Sequence, residues 1–295
     1  MDLVEHIRNK RAYIFNSNFN IEKIKTWIFD LDGVVYRGSE KIDSCIEFLN
    51  MLQKKGKEVV FYSNNSSRTP NFYSEKISNM GFKTEPKNVF TSSIIAAHGL
   101  KKKFENSKKT KVYIIGENGL IEPMRNIGFE ILNDTINSVE LTESIPKNIK
   151  ADFVIAGIDQ FFTYGKLRLA THFIMNGSRF FGTNSDATVP IGPNFWPGAG
   201  TMIAAISTAV GKPPETIFGK PSAEGIQILI NELKGNKQNS VMIGDRIDTD
   251  ILGSVNANIN SIMVGTGVNK ITDLLDQKPI ASPDIYVENL SMLTF

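Results

Sequence analysis

The sequence predicts an α/β protein: a doubly wound, mainly parallel sheet with a second α/β unit inserted into it. Three observations carry this expectation. Short apolar runs alternate with longer segments of helical period. At 295 residues the chain is long enough for two domains. The stretch from Thr91 to Pro190 has its own alternation of runs and helices, and a loop of that length would be improbable.

Taken in order, Trp27–Phe29 reads as the first buried strand. Asp43 to Lys55 reads as a helix, with Asp43 at the N-cap and Gly56 as its stop. Glu58–Tyr62 is the next strand, and Pro70 to Met80 the next helix, opened by a proline and closed by Gly81. Lys111–Ile115, Phe153–Ala156 and Arg179–Gly182 are candidate strands of the insertion. The segment IGPNFWPGAGT, Ile191 to Thr201, is rich in Gly and Pro and reads as the return crossing, followed by a helix from Thr201 to Val210. Ser240–Ile243 and Ser261–Val264 complete the strands. The expected division is a discontinuous core, residues 1–90 plus 191–295, around an inserted unit, residues 91–190.

Composition narrows the function class. Thirty-three basic against 31 acidic residues give a net charge of +2, so neither nucleic acid nor an anionic membrane is expected as the main partner. The basic run Lys101 to Lys109 reads as a solvated helix end and loop. The one cysteine, Cys45, excludes an internal disulfide and fits the apolar face of a helix. His6, His98 and His172 share no metal-ligand spacing. No apolar run approaches the ~20 residues of a membrane span. The N-terminal MDLVEHIRNKRAYIF is amphipathic and charged, unlike a secretion signal, and a cytoplasmic protein is expected.

The chemistry collects at strand ends. In FDLDG, Asp30 and Asp32 follow an apolar run; alone this is ordinary turn chemistry. EVVFYS ends in Ser63-Asn64-Asn65-Ser66, GKP (Gly219 to Pro221) precedes a helical pattern starting at Ser222, and MIGDRIDTDI runs into Asp245, Asp248 and Asp250. Ligands of open α/β sheets bind outside the carboxyl ends of the strands, so these ends would share one crevice. Asp30, Asp32 and Asp245, with Asp250 nearby, would repel one another there unless a hard divalent cation, Mg²⁺ by choice, compensated them. Lys220, Ser63 and loop amides complete a phosphate site with a carboxylate available as nucleophile.

FDLDGVVYRG, FYSNNSSRT, FGKPS and VMIGDRIDTDI resemble, in order and spacing, the four motifs of the haloacid dehalogenase-like (HAD) phosphohydrolases. GTNSDATVP and PGAGT resemble the subgroup with the larger α/β cap, the 4-nitrophenylphosphatase and N-acetylglucosamine-operon phosphatase type. The resemblance spans about Lys25 to Gly267 and implies a Rossmann-like core with an inserted α/β cap domain. It implies that Asp30 attacks phosphorus to form an aspartyl-phosphate, and that Asp32 serves as acid and then base. It implies that Mg²⁺ is held by Asp30, the Asp32 backbone carbonyl and Asp245, with Asp250 steadying Asp245 or a metal-bound water. Ser63 and the Asn64 amide would hold phosphate oxygens, and Lys220 would neutralise phosphate and nucleophile together.

Bland alternatives stand beside several of these roles. Asn64 and Asn65 can form an Asx-turn, and Asn65 can do that alone. Asn184 and Asp186 can contact the leaving group or serve a turn. Asp248 is assigned to solvent or a helix N-terminus. Family members acting on pyridoxal phosphate carry a histidine before the cap-loop proline; Val189 stands there and disfavours that substrate. The expected function is a Mg²⁺-dependent phosphatase of small phosphorylated metabolites, with a homodimer through the cap implied by resemblance. A phosphoryl-transfer enzyme and a non-catalytic phospho-ligand-binding protein are the alternatives. A nicotinamide enzyme ranks low because no GxGxxG follows the first strand.

Overall fold

The computed structural model describes residues 12–105, 109–136, 149–191, 194–275 and 279–293. Most of the amphipathic N-terminal segment, with His6, lies outside them, as does part of the Lys101–Lys109 run. The chain forms two compact units. The first draws on Met1–Ser63, Asn71–Phe90 and Lys220–Phe295; the second on Asn64–Pro70 and Thr91–Gly219.

The first unit is built on a seven-stranded sheet. Its order is Ala12–Ile14, Ile285–Val287, Asn260–Val264, Ser240–Gly244, Thr26–Phe29, Glu58–Ser63 and Val89–Thr91. The central pairings are parallel, and Ala12–Ile14 is an antiparallel edge. Thr26–Phe29 is buried at every position, as a strand covered on both faces must be. The chain leaves it to one side for Glu58–Ser63 and returns on its other side as Ser240–Gly244. This reversal is a topological switch point, where open sheets of this kind bind ligands. Register fixes which residues emerge there. Phe29 pairs with both Ile243 and Phe61, so Asp30, Ser63 and Asp245 project from one end of three adjacent strands.

The helix Asp43–Lys54 covers one face of this sheet. Cys45, Ile46, Phe48, Leu49 and Leu52 lie buried at helical spacing, and Phe48 meets Trp27 edge-to-face at 5.4 Å between ring centroids. Ile42, not Asp43, occupies the N-cap, and it makes no side-chain cap bond. Asp43 sits one residue later, in the first turn, where a negative charge is favoured by the helix dipole. Gly56 ends the segment at φ +67°, a conformation that suits glycine. The second helix runs Pro70–Asn79.

The second unit has its own parallel sheet, in the order Thr216–Ile217, Arg179–Gly182, Phe153–Ala156, Lys111–Ile115 and Glu130–Ile131. Here the structure departs from the expected return crossing. Thr188–Ile191 and Asn194–Pro197 pair as an antiparallel hairpin, and the following helix begins at Ala199, two residues earlier than expected. That helix buries Met202, Ile203 and Ile206 against Val154, Phe173 and Phe180, so residues 194–219 fold with the insertion rather than with the core. A helix of mainly small and apolar residues carries no label saying which of two sheets it will cover.

Candidate active site

Asp30 and Asp245 stand where strands of the first unit end, while Lys220 stands just before a helix and Asp250 on a helical turn. Asp30 follows Thr26–Phe29, and its amide donates to the Ile243 carbonyl at 2.9 Å, keeping it in line with the sheet. Lys220 lies just before Ser222, which caps the helix Ala223–Glu232. Its side chain is only 2% exposed, and Nζ lies 2.5 Å from Asp30 Oδ1 and 2.7 Å from Asp250 Oδ1. The same ammonium donates to the Tyr62 carbonyl at 3.0 Å, which ties it to the strand ending in Ser63. Burial alone would lower the Lys220 pKa, but the Asp250 and Asp30 carboxylates outweigh it and keep the charge firmly on nitrogen.

Asp245 directly follows Ser240–Gly244. One carboxylate oxygen, Oδ2, accepts from the Val268 amide at 2.7 Å, and its backbone carbonyl accepts from the Asn269 amide at 3.0 Å. Close backbone approach makes room for it: a Cβ added at Gly33 or at Gly267 would run into the Asp245 carboxylate. The loop after Asn260–Val264 is locked to the first motif by Thr266, whose hydroxyl donates to the Gly33 carbonyl at 2.6 Å, and by Arg37, which donates to the Thr266 carbonyl. Asp250 is fully buried on a π-helical turn, Ile247–Ile251, and its Oδ2 accepts from the Arg246 amide at 3.1 Å. Such turns widen a helix by one residue and recur at functional sites.

Asp30, Asp245 and Asp250 present carboxylate oxygens that all lie within 4.8 Å of one another, with one lysine among them. The electrostatic strain is visible. Burial pushes Asp30 well above the ordinary carboxylate range; Lys220 pulls it back, while Asp250 and Asp245 push it further up. Burial likewise drives Asp245, with Asp250 adding to it, up to about 7. Asp245 Oδ1 is buried and accepts no hydrogen bond among the described residues. A buried, unsatisfied carboxylate oxygen in an acidic cluster is the donor set of a hard divalent cation, so the residues present fit one.

Asp32 differs from its neighbours. It is exposed, and its carboxylate is not part of the three-carboxylate group. Partial loss of hydration raises its pKa, while the Lys76 charge and the Gly38 amide act in the opposite sense. Asp248 turns to the surface and pairs with Arg246 at 2.7 Å, in keeping with its assignment to solvent.

The other expected residues belong to the second unit. Asn64 Nδ2 donates to Asp186 Oδ2 at 3.1 Å. Asn184, 1% exposed, donates to the Asn64 carbonyl at 2.7 Å and accepts from the Asp186 amide at 3.1 Å. The Ser92 hydroxyl also donates to that carbonyl, at 2.5 Å. Asn65 Oδ1 accepts from the Ser67 amide at 2.9 Å, which is the Asx-turn. Sequence reasoning missed Gly33, Gly267, Thr266 and Val268 as supports of Asp245. The GTG run after an apolar strand was the available signal.

Four motifs at one sheet end, interrupted by an α/β insertion, define a class. Residues 27–130 match the family model of haloacid dehalogenase-like hydrolases, and residues 217–293 match a second one, described as HAD-hydrolase-like. The chain belongs to this family. Within it, the protein is a phosphatase that hydrolyses phosphoric monoesters. It is 32% identical to phosphoglycolate phosphatase 1A, chloroplastic, of Arabidopsis thaliana, over 94% of this chain and 78% of that one. The solved 4-nitrophenylphosphatase of Thermotoga maritima superposes with a TM-score of 0.80 at 30% identity, covering 92% of this chain and 97% of that one. The glycerol phosphate phosphatase of Mycobacterium tuberculosis, solved in complex with magnesium, gives a TM-score of 0.80 at 26% identity, covering 92% and 77%.

Proposed function

We propose that this phosphatase is Mg²⁺-dependent and hydrolyses small phosphomonoesters through a phosphorylated Asp30. The observation that carries the reading is the Lys220 ammonium shared by Asp30 and Asp250, beside the unsatisfied Oδ1 of Asp245. Lys220 binds Asp30 Oδ1 and leaves Oδ2 to attack phosphorus. As the Asp30–phosphorus bond forms, the bond from phosphorus to the ester oxygen breaks, and Asp32 gives its proton to that oxygen. Asp32, now ionised, takes a proton from the water that attacks phosphorus. The aspartyl–phosphate bond breaks and Asp30 is regenerated.

Asp30, the Asp32 carbonyl and Asp245 would hold Mg²⁺, while Asp250, which pairs with Lys220, would steady Asp245 or a metal-bound water. When bound, the cation neutralises phosphate oxygens and lowers the repulsion between phosphate and nucleophile. Ser63 and the Asn64 amide, consecutive in the chain, are the phosphate donors of this reading. Asn184 and Asp186 orient Asn64, a positioning role that their hydrogen bonds support.

The second unit is read as the cap, which selects the leaving group, and as the surface of a homodimer. Phe195 and Trp196, exposed on its hairpin, support the latter, and light scattering of the purified protein tests it. Among the described residues no helix is long and apolar enough to cross a membrane; a cytoplasmic site of action remains part of this reading. The decisive experiment is a panel of sugar phosphates, nucleoside monophosphates and phosphoglycolate, assayed for phosphate release with Mg²⁺ and with EDTA. Turnover unaffected by EDTA would refute the metal requirement, and full activity of Asp30→Asn the nucleophile.

A further inference from the structure

Lys76 has no part in the chemistry above. It stands on the helix Pro70–Asn79, and its Nζ lies 3.4 Å from the centroid of the Tyr36 ring. The tyrosine face attracts the ammonium and sets its place, while burial lowers the Lys76 pKa and the Asp32 charge acts to raise it. That place is beside the exposed acid–base group. Tyr36 forms a backbone bridge with Asp32, and Lys76 and Asp32 each feel the other's charge. Yet among the described residues no carboxylate approaches Lys76 to ion-pair distance. The contrast with Lys220 is informative. Lys220 is buried and fully shared between two carboxylates, whereas Lys76 is half-buried and open to an incoming anion.

We infer that Lys76 binds a negative charge on the leaving group, so that the enzyme favours phosphomonoesters whose alcohol part is itself anionic close to the ester oxygen. The inference rests on the reading of Asp32 as proton donor. The leaving oxygen must meet Asp32, and an anionic group one or two carbons away then comes within reach of Lys76. In this partly desolvated position the attraction exceeds its value in bulk water. Lys76 would thus discriminate among leaving groups, while Asp30, Asp245 and Lys220 treat every phosphoryl group alike.

The test compares kcat/KM for phosphoglycolate and for 2-hydroxyethyl phosphate. The two have similar size and alkoxide leaving groups and differ in the carboxylate. Wild type should prefer phosphoglycolate, and the preference should shrink as ionic strength rises. In Lys76→Gln the ratio of the two constants should fall about tenfold or more, whatever change the two share, and Lys76→Arg should restore most of it.

A ratio unchanged in Lys76→Gln, or a wild type without the preference, overturns the inference; in the former case Lys76 merely offsets Asp32 or packs on Tyr36. The wild-type salt dependence decides the matter even if the variants fail to fold, since a salt-independent ratio overturns the inference too. A wild type inactive on both esters and on 4-nitrophenyl phosphate would instead overturn the catalytic reading, and the inference with it.

Discussion

The two units share an architecture and differ in what stands at their strand ends. Each is a mainly parallel sheet covered by helices. In the first, the strand ends carry Asp30, Asp245 and, on the next turn, Asp250, with Lys220 among them. In the second, the corresponding end of Arg179–Gly182 leads to Asn184, whose amide is spent on the carbonyl of Asn64. The first arrangement is electrostatically unfinished, with a buried carboxylate oxygen lacking a donor and two carboxyl pKa values raised by burial. The second closes on itself: Asn184 and Asn64 spend their amides on a carbonyl and on Asp186, and the buried Asp159 is paired with Lys166 at 2.7 Å. One backbone plan therefore serves two purposes, and side chains at strand ends decide which.

The sharpest way to break this comparison is to neutralise the nucleophile. Asp30→Asn should lose at least about a thousandfold in turnover while its circular dichroism and melting curve stay close to wild type. Retained turnover would mean that the acidic unit is not the chemical one.

The next expected effect concerns the unfinished charge balance. A carboxyl group with a raised pKa in the folded state binds protons that the unfolded chain has released. In metal-free protein, stability from Asp245 is therefore fully present below the ordinary aspartate pKa and lost as pH rises to about 7. Mg²⁺ should reverse that loss. The rise in Tm on adding it should be larger at pH 8 than at pH 5, and Asp245→Asn should abolish most of the difference. Equal shifts at both pH values would argue against this cluster as the cation site.

Gly267→Ala tests the cradle of the same carboxylate. The added Cβ meets the Asp245 carboxylate, so something must shift, at a cost of about 1–3 kcal/mol and with weaker Mg²⁺ stabilisation. In the second unit, Asn184→Ala should cost about 1–3 kcal/mol, read as a lower Tm, because it removes one of two donors to the Asn64 carbonyl and the acceptor of the Asp186 amide. Its effect on turnover should be far smaller than that of Asp30→Asn. The smallest signal is the most selective. Cys45, the sole cysteine, is buried in the first unit, and burial raises its thiol pKa. Alkylation should be slow in native protein and should report opening of the first unit alone, at whatever temperature or denaturant concentration that occurs.

Much of the site was legible because its chemistry follows apolar runs. Asp30 and Asp245 stand directly after buried strands, and Lys220 stands beside a helix start; each signal is local. Asp250 was legible as a nearby acid but not as the partner of Lys220, since that ion pair spans 30 positions and needs the π-turn at Ile247–Ile251. Gly33 and Gly267 are more than 230 residues apart, and their shared approach to Asp245 leaves no periodic trace. Lys76 reads as one more solvated helix lysine until the Tyr36 ring is found beneath it.

The sequence alone is enough for the α/β alternation, the parallel sheet, an inserted unit, three polar strand ends and a lysine beside a helix start. All of these follow from burial pattern and turn chemistry within windows of ten to twenty residues. Packing in three dimensions was needed to place residues 194–219 with the insertion, to pair two carboxylates with one lysine and to leave Asp245 Oδ1 unsatisfied. Those facts depend on register between distant strands and on which apolar face finds which partner. A one-residue change of register would turn every side chain of a strand to the opposite face.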